Sequence, residues 1–88
     1  MDFKQAIITN EKFQNPTFRT NEKGFDMLGF YIRGKHTYYW FEKVGDTWFF
    51  HHAYSQNTGE TKRSCRCMPK SIQRIYLAHI GLSSDYID

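Results

Sequence analysis

Between residues 26 and 54 the run DMLGFYIRGKHTYYWFEKVGDTWFFHHAY crowds aromatic and β-branched residues around two Gly-first dipeptides, Gly34-Lys35 and Gly45-Asp46. A two-residue type II′ hairpin turn needs a positive φ at its first central position, which glycine takes without strain, so the stretch predicts three antiparallel strands. Side chains alternate faces along a strand, and directly opposed residues share a face. With those two loops Arg33 opposes His36, Tyr31 opposes Tyr38 and Gly29 opposes Trp40. In the second hairpin Glu42 opposes Phe49, Trp40 opposes His51 and Tyr38 opposes Ala53. One face therefore mixes Tyr31, Tyr38, Trp40 and Phe49 with Arg33, His36, Glu42 and His51. The other carries Leu28, Phe30, Ile32, Tyr39, Phe41, Trp48, Phe50, His52 and Tyr54 and is the expected core. A one-residue slip in either turn would exchange the two sets.

The rest of the chain packages this meander. Asp2 is placed to cap a first turn in which Phe3, Ala6 and Ile7 recur at helical spacing. Residues 10–24 lose periodicity: Asn15-Pro16 reads as a turn, TFRT as a short edge strand, and Phe13 and Phe18 as apolar groups tucked against the sheet. The polar SQNTGE loop precedes an expected fourth strand over 61–68, with Arg63, Cys65 and Cys67 turned inward. Pro69 then suits the first turn of a helix whose stripe is Ile72, Ile75, Tyr76, His79 and Ile80. Gly81 stands where a left-handed C′ residue is wanted, with Leu82 folding back on it. The expected fold is a single α+β domain over 1–88. It comprises an irregular N-terminal arm (1–25), an antiparallel three- to four-stranded β-meander (26–68) and one C-terminal amphipathic helix (69–81) packed on one face.

At 88 residues the chain builds one core near the size where burial narrowly exceeds chain entropy, and stapling would matter. Its two cysteines, Cys65 and Cys67, lie one residue apart, at the outer limit of disulfide reach on a strand, and read as reduced thiols. With no apolar leader-like segment near Met1, that points to a cytoplasmic setting. No apolar run approaches a membrane span. Zinc sites take ligand pairs two to four residues apart, whereas the adjacent His51 and His52 point to opposite faces of a regular strand, so neither metal nor cofactor is expected.

Two pieces resemble a known family. GFYIRGKHTYYWF is similar to the glycine, basic residue, glycine, histidine strand of HicA-type messenger-RNA interferases, and PKSIQRIYLAHIGL is similar to their closing helix. The resemblance implies RNA cleavage by a sheet histidine at His36, although Lys35 stands where those toxins have serine.

No spacing in the chain otherwise names a reaction. Lys62, Arg63, Arg66, Lys70 and Arg74 form a basic stripe between residues 61 and 74 with no acidic interruption, and overall Lys plus Arg exceed Asp plus Glu by 12 to 9. Aromatics make up 18% of the chain, and an aromatic face beside cations suits either a protein interface or stacked bases. Expected binding residues are Tyr31, Arg33, His36, Tyr38, Trp40, Phe49, His51, Arg63, Arg66, Lys70 and Arg74. The expected role is a small non-enzymatic inhibitor or regulator of a nucleic-acid-handling protein complex, such as a phage- or plasmid-encoded antagonist of host defence of the anti-CRISPR type. Its alternatives are a single-stranded nucleic-acid-binding module and, through the resemblance, an RNA-cleaving toxin.

Overall fold

A computed structural model describes residues 2–81 and shows a five-stranded antiparallel sheet in the order β1-β2-β3-β4-β5. The elements are α1 (Phe3–Ile8), β1 (Phe13–Thr20), β2 (Asp26–Ile32), β3 (Thr37–Val44), β4 (Thr47–Ser55), β5 (Thr61–Lys62), a 3-10 turn (Cys65–Cys67) and α2 (Lys70–Ile80). Both helices lie on one face of the sheet. Phe3 of α1 packs its ring 4.7 Å from that of Phe41 and 6.3 Å from that of Tyr76 on α2. Leu28, Phe30, Phe41 and Ile72 are fully enclosed in the resulting cluster, and Phe30 stacks on Phe41 with 2° between the ring planes. No helix among the described residues is long and apolar enough to cross a membrane.

The central hairpin follows the alternation of its side chains. Tyr31 pairs with Tyr38 and Gly29 with Trp40, as expected, and Trp48 is only 5% exposed. The turn chemistry differs, because Lys35 N–H donates to the Ile32 carbonyl. Gly34 (φ 82°) therefore sits at the second central position, as in a type II turn, and Arg33 to His36 form a loop rather than a closing pair. Gly45 (φ 64°) does occupy the first central position expected of it.

The second hairpin departs halfway along. Val44 to Phe41 pair with Thr47 to Phe50 in the expected register, but a bulge then shifts the ladder, so Trp40 pairs with His52, Tyr39 with Ala53 and Tyr38 with Tyr54. His51 is the extra residue, and everything after it changes face. Ala53, expected outside, is buried; His52 and Tyr54, expected in the core, lie outside. The exchange is physically sensible, since it puts a small apolar residue inside and two polar rings out. Phe50 and Ile75 border the core only partly buried, and the helical stripe centres on Ile72, Tyr76 and Leu77.

The N-terminal arm is ordered as α1 and β1. Asp2 Oδ1 accepts from Gln5 N–H at 2.8 Å, capping α1. In β1 the Asn15-Pro16 pair forms a bulge, with Asn15 at φ 52°, instead of a turn. An edge strand tolerates Pro16 because the missing N–H breaks no ladder. Phe13 is buried as expected, but Phe18 is 52% exposed, with the Lys4 ammonium 4.9 Å from its ring centroid. The expected fourth strand over 61–68 shrinks to two residues. Lys62 pairs with Ala53 and so takes the core side of the sheet, and the cysteines sit on the 3-10 turn, half-buried against the core. Gly81 ends α2 in the left-handed conformation (φ 79°, ψ 22°), its N–H donating to Leu77; the contact expected of Leu82 lies outside the described residues.

One arrangement seals the sheet. Alongside the first half of β4 no strand is added, and α2 supplies side chains in its place: Trp48 N–H donates to His79 Nε2 at 2.8 Å and Phe50 N–H to the Tyr76 hydroxyl at 3.1 Å.

Candidate interaction face

The helix-free face of the sheet is built around Trp40. Gly29, directly opposite, has no side chain, and the indole lies flat over it: a Cβ placed there would meet Cδ2, Cε2 and Cε3 of Trp40 at 2.7 Å. Tyr38 and His52 flank the indole with ring centroids 6.1 and 6.3 Å away and planes within 24° and 18° of parallel. Tyr31 continues the row at 5.2 Å from Tyr38. The Arg19 guanidinium covers the indole at 5.5 Å from the ring centroid, a cation–π contact. Asn15 donates its side-chain amide to the Tyr38 hydroxyl, and Asn21 similarly engages a carboxylate oxygen of Glu42, fixing both margins of the face.

Three adjoining depressions share these residues and form one open groove along β3. The first is lined by Tyr31, Lys35, His36 and Tyr38, the second by Asn15, Arg19, Trp40 and Gln56, and the third by Arg19, Met27, Trp40 and His52. None of the lining residues is acidic. Between Tyr38 and Trp40 the floor follows β3, and His36 extends it into the β2–β3 loop.

Of the expected binding residues, the structure unites Tyr31, Tyr38 and Trp40, and places Phe49 on the same face opposite Glu42, 44% exposed. His51 does not oppose Trp40; it stands at the bulge, its Nδ1 2.7 Å from Nδ1 of His52. Arg33 and His36 lie exposed in the β2–β3 loop, so the sheet histidine implied by the interferase resemblance is not on a strand. The basic stripe divides. Arg63, expected inward, lies beside His52, and its charge helps to lower the pKa of that imidazole, after burial and the neighbouring His51. Lys62 takes the core side of the sheet, Arg66 sits on the 3-10 turn, and Lys70 and Arg74 belong to α2 in the helical layer. Arg19, Asn15 and Gln56 were not among the expected residues. The Thr17/Arg19 alternation opposite Gly29 and Met27 was the available signal for Arg19.

Burial pushes the Cys65 and Cys67 thiols above their ordinary pKa, which disfavours the nucleophilic thiolate. Burial, then Cys67, does the same to the Tyr39 phenol. No group of three or more His, Cys, Asp or Glu side chains converges among the described residues. No protein family, curated protein or solved structure matches the chain.

Proposed function

We propose that the chain is a small, non-enzymatic binding protein that acts as a stoichiometric inhibitor or regulator, holding an extended acidic segment of a protein partner in the aromatic groove. The observation that carries this reading is the separation of the two features a single-strand binder would combine. The aromatic row lies on the open face of the sheet, while Lys62, Lys70 and Arg74 belong to the opposite side, leaving the groove with Arg19 and Lys35 as its lysine and arginine lining. A nucleic acid stacked on the rings would need cations along its whole backbone path. A peptide strand needs a few anchors, and Trp, Tyr and Arg at the centre of a patch are the residues that most often dominate protein-binding energy. The carboxylate-free lining selects an acidic occupant. A partner within a nucleic-acid-handling complex fits this arrangement, because the basic helical layer remains turned away from the groove.

The test pairs capture from native cells, with and without nuclease, with direct titration of a fifteen-residue oligothymidylate at physiological salt. Nuclease-resistant 1:1 capture of one acidic protein, lost in Trp40→Ala and weakened in Arg19→Ala, is the expected result. Nanomolar oligothymidylate binding lost in Trp40→Ala would replace this reading with the single-strand one.

A further inference from the structure

Adjacent histidines on a regular strand point to opposite faces, which argues against their joint use as ligands. The bulge removes that obstacle, because His51 is the unpaired extra residue and His52 resumes the ladder against Trp40. Their rings converge, with centroids 5.0 Å apart and Nδ1 to Nδ1 2.7 Å. Their contact is an N–H···N hydrogen bond in which one Nδ1–H donates and the other Nδ1 accepts.

The geometry points to a two-imidazole site for a divalent late-transition ion of the copper or nickel class, bound through Nδ1 of His51 and Nδ1 of His52. The choice of ion follows from the spacing. Metal–imidazole bonds of about 2.0–2.1 Å separate two nitrogens by about 2.9 Å at a right angle and about 3.3 Å at a tetrahedral one. The observed 2.7 Å lies nearer the right-angled pair of a tetragonal or octahedral ion, which is reached by a slight opening of the pair and rotation of the rings until both lone pairs converge on the ion. Binding moves the donating ring from its Nδ1–H to its Nε2–H tautomer, the proton passing through water, so that both rings stay neutral and each Nδ1 offers its lone pair to the ion. Among the described residues no further His, Cys, Asp or Glu joins the pair, which leaves the remaining positions to water or to a group from outside the chain. Arg63 acts against the site, since a guanidinium near His52 repels a second cation. This inference is independent of the proposed protein partner.

The experiment uses the full chain without a polyhistidine tag and Ni(II) as the probe, because Cys65 and Cys67 would reduce Cu(II). Calorimetric titration should give one Ni(II) per chain, with line broadening centred on the His51, His52 and Trp40 side-chain resonances in NMR spectra. His51→Gln and His52→Gln should each weaken binding at least tenfold, and Arg63→Ala should tighten it severalfold. Circular dichroism confirms that each variant is folded, and the gain in Arg63→Ala keeps the test informative if a histidine variant is not. Unchanged affinity in a folded histidine variant, broadening centred on Cys65 and Cys67, or no binding by the unaltered chain would overturn the assignment.

Discussion

Gly29→Ala tests the contact on which the open face is built. Glycine-to-alanine changes at ordinary strand geometry tend to stabilise, by about 0.4–1 kcal/mol, because the unfolded chain loses freedom. The φ of Gly29 lies outside the left-handed region, so no backbone strain opposes the change. The obstacle is Trp40: three atoms of its rigid indole would stand 2.7 Å from the new methyl. Carbon pairs rest at about 3.5–4.0 Å, so the ring must withdraw by about 1 Å. Overpacking of this kind costs about 1–3 kcal/mol in a closed core. Trp40 is half-buried and lifts toward solvent, which lowers that cost. The expected net destabilisation is about 0.5–2 kcal/mol by denaturant titration, with the midpoint temperature falling by about 4–8 °C per kcal/mol. In a Trp40→Ala background the methyl meets nothing of that ring, and Gly29→Ala should then stabilise. Equal or greater stability of Gly29→Ala in the otherwise unaltered chain, or the same sign in both backgrounds, would refute the flat placement of the indole.

Two further outcomes concern the seal along β4. Tyr76→Phe removes the acceptor of Phe50 N–H and should cost about 1–3 kcal/mol, with faster hydrogen exchange at that amide; unchanged exchange would show that the hydroxyl is not its partner. His79 accepts from Trp48 N–H through Nε2, and burial holds its pKa below the ordinary 6.5, with Asp2 opposing the shift. The unfolded chain thus takes up this proton first as pH falls: the His79 contribution is fully present above 6.5 and is lost progressively below it, toward the folded-state pKa. Urea titrations across that window should show a shallower loss in His79→Gln, and an identical slope would exclude His79 as the source.

The first hairpin was legible because Tyr31, Tyr38, Gly29 and Trp40 alternate with Phe30, Ile32, Tyr39 and Phe41 on both sides of one loop. Even a misplaced turn left that register intact, since a four-residue loop about the same centre preserves each pairing. The bulge was not legible from turn residues, because FFHHAYS contains no glycine or proline to mark it. Its trace was indirect: a strict alternation put His52 and Tyr54 inside and Ala53 outside, and one inserted residue corrects all three. The same inserted residue brings the rings of His51 and His52 together, which strict alternation would have kept on opposite faces. Pro16 concealed β1 for a different reason. A strand signal interrupted by proline is discounted, yet at the margin of a sheet the lost donor has no ladder to break.

The side chains of α2 that occupy the β4 amides also restrict how copies of this protein can associate. Polymerisation through sheets requires two receptive margins on every subunit, so that each added copy presents a fresh one. Here α2 occupies amides of β4 and the margin beyond them is the two-residue β5, leaving β1, itself interrupted at Pro16, as the long margin. Pairing β1 against β1 would consume the long margins of both copies and leave only two-residue edges for further growth. An aromatic-rich small domain can thus remain an assembly with a terminus instead of a fibre without one.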